Sequence, residues 1–482
     1  MQIFSSEMLM ALLPEIGLSF LAFLLLAISL LKNEKLNIHL EWITAAGFTL
    51  IAVLMIIFAR PPAEPQLLWG EMIRFDRAGF IFRLLILAGG ALTAIFAKME
   101  VSLSKKAEFS LLLVLSSIGL SLMVSSGNLI MLYLAIETAT IPLYVMAGFK
   151  HNDEKSVESG IKYFLFGGIS SALMLYGFTL LYGFAGTTRL YGMVEAMKLN
   201  GAPTAGLILA SLLVLAGFTF KISAVPFHFW APDVYEGAPT PVAGFLSTVS
   251  KAAGFAALIR VLVNAFGVGS SDAWMIIIAI IAAVSMFTGN LLAIPQKDIK
   301  RMIAYSSIAQ AGYILVGVAA GTEFGFSAAV YYLVAYLVTN LAVFAIINWV
   351  ETRSGTTAIT AFAGLNRRSS GMALLMAIAL LSLGGIPPFG GFFAKILVFG
   401  AAVKADMVWL AVLGIINSVI GLYYYLRVMK VMYLDPPPVK EEVGSLPILW
   451  KIALAFCIIG IVLLGVIYAP WFNGISLAAA GF

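Results

Sequence analysis

The sequence predicts an all-α polytopic membrane protein with 14 transmembrane helices. Of its 482 residues, 61% are hydrophobic and only 11% are charged, a composition that a water-soluble surface cannot have. Apolar runs of about 20 residues, the length that crosses a bilayer as a helix, recur along the whole chain. Lys and Arg also concentrate in alternate loops between these runs, as they do in multi-pass proteins with a fixed orientation.

Fourteen apolar runs are the predicted spans, numbered 1 to 14 in chain order from here on. They lie near residues 8–31, 42–59, 78–97, 109–125, 128–148, 161–186, 205–230, 240–266, 273–294, 302–320, 324–350, 371–403, 407–433 and 447–470. The first run has no Lys or Arg before it and is too long for the apolar region of a signal peptide. We therefore expect it to remain as the first helix.

The distribution of positive charge predicts the orientation of these spans. Loops that follow odd-numbered spans hold 17 Lys and Arg residues, whereas loops that follow even-numbered spans hold 6. Because positive loops stay in the cytoplasm, the odd-numbered loops are predicted to be cytoplasmic and both termini to lie outside.

Spans 7 and 12 are predicted to be broken helices. Span 7 has Pro226 in its middle, and span 12 contains Gly384, Gly385, Pro387 and Pro388. Proline removes a backbone donor and clashes with the preceding turn, so the freed carbonyls need water, ions or neighbouring helices as partners. Spans five apart run in opposite directions, which predicts inverted repeats of the kind found in ion-coupled transporters.

The predicted organisation therefore has four parts. Residues 1–107 form spans 1 to 3, residues 108–266 the first repeat (spans 4–8), residues 267–433 the second repeat (spans 9–13), and residues 434–482 span 14.

Four charged residues lie in the middle of apolar spans: Glu137 in span 5, Lys221 in span 7, Lys251 in span 8 and Lys395 in span 12. A cation at the bilayer centre costs about 2.5 to 3.5 kcal/mol on insertion scales, so several in one chain indicate a function that uses them. Each is a candidate proton or ion site. The alternative is structural ion pairing, in which Glu137 neutralises a lysine.

Two further residues are weaker candidates for a functional role. Lys162 begins span 6, from which its side chain could reach the lipid headgroups. His228 follows Pro226 in a broken helix, where its imidazole could either relay protons or pack in a hydrogen-bonded role.

Other chemistry is missing from the sequence. It contains no phosphate-binding loop, dinucleotide fingerprint, metal-ligand spacing or Ser-His-Asp arrangement. Its one cysteine, Cys457, cannot build an iron–sulfur cluster alone. We therefore expect no cofactor or metal in this chain, and an energy source in a gradient or another subunit.

Three long motifs carry a resemblance to a known family. They are PFHFWAPDVYEGAPTPVAGFLSTVSKAAGFA (226–256), NLLAIPQKDIKRMIAYSSIAQAGYILVG (290–317) and GGIPPFGGFFAK (384–395). The chain resembles the proton-translocating, antiporter-like membrane subunits of respiratory complex I, and within them the subunit N (subunit 2) group. The VYEGAPTPV string and a lysine rather than a glutamate at position 395 are typical of that group.

The resemblance implies roles for residues already singled out. Glu137 and Lys221 match the ion pair of the first half-channel, Lys251 the connecting site, and Lys395 the terminal site towards the outside. Lys162 matches a lysine that modulates the pair, and His228 a histidine of the central polar chain. This chain has Gln310 where some bacterial members have histidine.

The resemblance also implies a function. The chain would be the translocase subunit of an NADH:quinone oxidoreductase in the bacterial cytoplasmic (inner) membrane, driven by quinone reduction elsewhere in the complex. FMN, iron–sulfur clusters and quinone would be bound by partner subunits, and the neighbours would be subunits M, K and J; no nucleic acid is expected. The alternatives are a subunit of a multisubunit Na⁺/H⁺ antiporter, or of the membrane arm of a hydrogenase or F420-linked dehydrogenase.

Overall fold

The structure is a computed structural model that describes residues 5–31, 39–100, 102–103, 106–267, 272–437 and 446–479. Four of the lysines on which the predicted orientation depends lie outside the described residues: Lys32, Lys35, Lys105 and Lys440.

The predicted all-α membrane fold is confirmed. In the described ranges, 13 helices are long and apolar enough to cross a bilayer by length and composition. They are Leu13–Leu30, Leu40–Phe58, Arg77–Ala97, Ala107–Val124, Leu129–Ala147, Glu154–Ala185, Thr204–Lys221, Thr240–Phe266, Asp272–Ala293, Ile299–Ala319, Glu323–Ser354, Val408–Leu434 and Ile448–Val466. The remaining predicted span, span 12, consists of two 15-residue helices, Ser370–Gly384 and Gly390–Lys404.

Short elements fill the connections. An antiparallel hairpin of β1 (Gln66–Leu68) and β2 (Ile73–Phe75) lies between spans 2 and 3. The short helices are Ser6–Ala11, Met193–Leu199, Trp230–Gly237, Ile359–Phe362, Leu365–Arg368 and Tyr468–Ala479.

Both predicted helix breaks are present. The first helix of span 7 ends at Lys221, and the chain resumes helical geometry only at Trp230. Span 12 is interrupted between Gly384 and Gly390, where two prolines in sequence lack the N–H that a continuing helix needs.

Spans 8, 10 and 11 form the centre of the bundle. Almost the whole apolar length of each is buried by other helices, whereas only 33% of spans 1 and 6 and 39% of spans 2 and 13 are buried. The exposed positions carry large apolar side chains such as Phe20, Phe23 and Ile169, as expected of a surface that meets lipid or other membrane helices.

Spans 5–6 and spans 10–11 share several local features. Spans 6 and 11 are each 32 residues long and end at a left-handed glycine, Gly186 and Gly355, both with φ of +69°. The first residue of span 5 donates its N–H to the carbonyl of Thr188 just after span 6, and the first residue of span 10 donates to Thr357 just after span 11. Both bonds measure 2.9 Å.

Ion pairs join the loops that follow odd-numbered spans, which we call the lysine-rich end of the bundle. Lys150 after span 5 lies 3.4 Å from Glu100 after span 3 and 3.8 Å from Glu351 at the end of span 11. Asp233 and Glu236, in the short helix Trp230–Gly237 after span 7, both accept from Arg301 at the start of span 10. These loops therefore lie together, as the charge count predicted.

The opposite end is held by two buried ion pairs. Arg83 of span 3 contacts Glu15 of span 1 at 2.7 Å. Arg260 of span 8 binds both carboxylate oxygens of Asp76, each at 2.7 Å, in the bidentate geometry typical of arginine. Burial alone would raise the pKa of the Asp76 carboxyl, but Arg260 and further hydrogen bonds hold that pKa below its usual range.

Candidate functional site

Lys221 is buried at the break in span 7. It is the last residue of its helix, where the unpaired carbonyls of the last turn favour a cation. Its Nζ donates a hydrogen bond of 2.9 Å to the hydroxyl of Thr140 in span 5. The helix break thus places an ammonium group beside a hydroxyl of the neighbouring span.

Glu137 lies one turn from Thr140 on the same helix, and its carboxylate accepts a hydrogen bond from Ser171 of span 6. Glu137 is half-buried in this chain, whereas Lys221, Lys251 and Lys395 are buried. The predicted ion pair with Lys221 is not formed in the part of the chain that the structure describes. Both side chains instead line one cavity of about 20 Å³.

Lys251 lies at the fully buried centre of span 8. The helix makes one π-helical turn over Leu246–Ser250 and returns to α geometry at Lys251, a local change often found at functional positions. Its Nζ donates to the backbone carbonyl of Ser307 in span 10 at 2.8 Å and also contacts the Ser307 hydroxyl.

Lys395 binds the carbonyl that the break in span 12 leaves free. Its Nζ donates to Gly384 at 3.0 Å and lies 4.7 Å from the centre of the Tyr313 ring, within reach of a cation–π contact. Gly385 has a φ of +82°, and a Cβ there would come within 2.8 Å of Lys395 Cδ. Glycine at position 385 therefore allows the left-handed turn and leaves room for the Lys395 side chain.

A buried polar network lies between the Lys251 and Lys395 positions. Gln310, one turn after Ser307, donates to the Leu383 carbonyl at 3.1 Å and to the Tyr425 hydroxyl at 3.3 Å, and it accepts from Tyr332. Hydroxyl groups can both give and take a proton, so such a network is able to relay one.

His228 and Lys162 lie away from this row of contacts. His228 is buried with its ring 4.3 Å from that of Phe229, and no hydrogen bond in the described ranges joins it to Lys221 or Lys251. Lys162 is ion-paired with Glu158 and Asp233 at the lysine-rich end, and not with Glu137. In the described ranges, no direct contact therefore supports the predicted roles of His228 and Lys162.

The hydroxyl partners are what sequence reasoning missed. Thr140, Ser171 and Ser307 were not singled out, although each is a polar residue inside an apolar span. Only Thr140 had a signal in the sequence, because it lies one helical turn from Glu137. Among the described residues, no group of three or more His, Cys, Asp or Glu could hold a metal ion.

Comparison with known proteins adds the family. The profile of the family described as "NADH:quinone oxidoreductase/Mrp antiporter, TM" matches residues 126–421, more than half of the chain. The chain belongs to this family. It is also 41% identical, over 95% of both chains, to the NADH-quinone oxidoreductase subunit N of Moorella thermoacetica.

Solved structures of related complexes have the same fold. A chain of respiratory complex I from Thermus thermophilus superposes with a TM-score of 0.81 at 30% identity, covering 97% of this chain and 99% of that one. A chain of an archaeal membrane-bound sulfane sulfur reductase superposes at 0.88 with 26% identity, covering 99% and 98%. The resemblance to antiporter-like subunits of complex I, and to subunit N among them, is confirmed.

Proposed function

We propose that this chain is a proton-translocating subunit in the membrane arm of an NADH:quinone oxidoreductase of the complex I type. Protons would enter from the lysine-rich end, taken as cytoplasmic, at Lys221 with Glu137, pass to Lys251, and leave to the outside by way of Lys395. Quinone reduction in neighbouring subunits would supply the energy. The chain itself would be a translocase component that carries no redox group.

The partners of the buried cations are the main support for this function. Arg83 and Arg260 each contact a carboxylate, as expected of a buried charge that only stabilises the fold. Lys221, Lys251 and Lys395, which lie inside the spans, instead donate to a hydroxyl or to a backbone carbonyl, as does the buried Lys300 at the lysine-rich end. Each can therefore lose its proton without leaving an unpaired carboxylate in the membrane, which a proton carrier requires and a structural cation does not.

Inverted repeats of spans 4–8 and 9–13 are part of this proposal, with the domain limits 108–266 and 267–433. The matched features of spans 5–6 and 10–11, namely equal helix lengths, left-handed terminal glycines and the same backbone bond between helix start and following loop, support it. Because the two sets are five spans apart, they run in opposite directions. Two half-channels of opposite orientation would follow.

The location of the chain and its partner subunits are proposed from its relatives. The chain would lie in the bacterial cytoplasmic membrane with both termini outside, next to subunits M, K and J, and FMN, iron–sulfur clusters and quinone would be held by partner subunits. Glu137 of span 5 is only half-buried by this chain, which supports a membrane partner that covers this position, because a carboxylate exposed to lipid is costly. Lys162 would act on the pair through Asp233, and His228 through bound water.

The test is proton pumping by the reconstituted complex. Lys221→Ala should lower pumping coupled to electron transfer while the complex still assembles, because the first carrier is lost. Unchanged pumping in a fully assembled complex would contradict the proposal. Mass spectrometry of the co-purified subunits tests the alternatives, since flavin and iron–sulfur subunits with an NADH site would exclude a stand-alone Na⁺/H⁺ antiporter, a hydrogenase and an F420-linked dehydrogenase.

A further inference from the structure

The two members of the expected ion pair each have a separate hydroxyl partner. Ser171 donates to the Glu137 carboxylate, and Lys221 donates to Thr140 at 2.9 Å. The pair is therefore held open by two hydroxyl groups from spans 6 and 5. The question is what decides between this arrangement and direct contact of the two charges.

Thr140 keeps Lys221 close to Glu137. Positions three apart in a helix lie on the same face, so the Thr140 hydroxyl is a neighbour of the Glu137 side chain. Thr140 gives its own proton to the Ile136 carbonyl, which leaves its oxygen free to accept from Lys221. A rotation of the lysine side chain is enough to exchange one acceptor for the other.

Ser171 is the competing partner for the carboxylate. One turn before Ser171, the Tyr144 side chain of span 5 packs against Gly167 of span 6, where an added Cβ would lie 2.0 Å from the Tyr144 hydroxyl. Ser171 itself donates a hydrogen bond to Glu137. The cavity lined by Glu137, Ser171, Thr140 and Lys221 has a volume of about 20 Å³, which is room for one water between the two charges.

We propose that Ser171 is a positioning residue that sets how often the Glu137–Lys221 ion pair opens, by offering the carboxylate a hydrogen bond away from the lysine. This rests on the proposed function. With the carboxylate on Ser171, the ammonium of Lys221 has no direct ion pair with Glu137 and gives its proton to the neutral amine of Lys251 through water and hydroxyl groups. When the Glu137 carboxylate instead pairs with Lys221, the lysine keeps its proton.

The experiment uses the intact complex in proteoliposomes and measures protons pumped per electron from pH 6 to 9, together with the rate of quinone reduction. Ser171→Ala leaves the carboxylate only the lysine as a partner. Pumping at neutral pH should fall roughly tenfold, as expected for loss of one charge-assisted hydrogen bond, and its pH profile should move to more alkaline values. Ser171→Thr keeps the hydroxyl and should restore both.

Ser170→Ala is the matched control, because Ser170 is the adjacent, buried serine on a different face of span 6 and makes no hydrogen bond to Glu137 in the described ranges. It should leave the profile unchanged. If Ser171→Ala does not assemble, Ser171→Cys, with a weaker donor of similar size, should move the profile in the same direction. A profile like that of the unmodified complex in Ser171→Ala or Ser171→Cys, or equal impairment in Ser171→Thr, would overturn the proposal.

Lys221→Ala in the same assay separates this inference from the proposed function. If Lys221→Ala abolishes pumping and the Ser171 variants leave the profile unchanged, only the positioning role is wrong. If both leave pumping unchanged, the proposed function is wrong as well.

Discussion

Gln310 and Lys395 bind adjacent carbonyl oxygens of the same broken helix. The amide nitrogen of Gln310 donates to Leu383 at 3.1 Å, and the Lys395 Nζ donates to Gly384 at 3.0 Å. The two carbonyls are free because the helix cannot continue through Pro387 and Pro388. The break in span 12 thus joins the central polar network to the last lysine of the row.

Replacing Gln310 tests this junction. Gln310→Leu removes both the donor to Leu383 and the acceptor for Tyr332, and leaves buried polar groups unpaired at a cost of about 1 to 3 kcal/mol each. Proton pumping should fall sharply while electron transfer persists. Gln310→His, which keeps a donor and an acceptor, should retain pumping, and a loss equal to that of Gln310→Leu would show that the amide is needed specifically.

Replacing Lys251 should separate function from stability. Lys251→Met should abolish pumping and leave the thermal stability of the purified complex unchanged or higher, because the buried cation has only a carbonyl and a hydroxyl as partners. The matched variant Arg260→Met removes the bidentate partner of the buried Asp76 and leaves it only Arg74 as a counter-charge, so it should destabilise the chain by about 3 kcal/mol, the lower end of the cost of breaking a buried ion pair. A Lys251→Met variant that unfolds as readily as Arg260→Met would indicate a structural lysine.

Gly385→Ala should displace Lys395. A left-handed backbone costs a side-chain-bearing residue roughly 1 to 2 kcal/mol, and the new Cβ would meet the lysine stem at 2.8 Å. Pumping should decrease at an unchanged assembly level. Gly400→Ala, in the second helix of the same span, where no atom lies within 4 Å of the added carbon, should behave like the unmodified chain; similar losses in both would point to a general effect on span 12.

Asp76 should make the stability of the folded chain depend on pH in the acid range. Its pKa is below the usual value in the folded chain, so its stabilising effect is complete above the pKa of the unfolded carboxyl, about 3.9, and is lost as the pH falls through the lower folded value. Asp76→Asn should lower the melting temperature at pH 7 and weaken its dependence on acid. Asp153→Asn, at an exposed helix start where asparagine caps equally well, should change neither.

The fold was accessible to sequence reasoning because apolar length, proline and glycine act locally. The number of spans followed from the apolar runs, and both breaks followed from residues such as Pro226 and Pro388. The clustering of the odd-numbered loops followed from the positions of Lys and Arg. The buried lysines were accessible for the same reason, since a charge inside an apolar run is visible without coordinates.

The hydrogen-bond partners of those charges could not be predicted from the sequence. The bond from Lys251 to Ser307 crosses between helices 56 positions apart, and the bond from Lys221 to Thr140 spans 81. Such contacts depend on helix rotation and on close packing such as that of Tyr144 against Gly167, which the pattern of apolar residues does not fix. The π-helical turn before Lys251 likewise has no signal in residues 246–250.

The two 32-residue helices of spans 6 and 11 have a consequence for the surrounding lipid. At 1.5 Å per residue each is about 48 Å long, whereas the hydrocarbon core is about 30 Å thick, so their polar ends at Lys155 and Arg353 emerge beyond it. The ion pair from Lys155 to Glu236 then forms among headgroups and water. Salt should screen it, and membrane thickness should set how far these helices tilt.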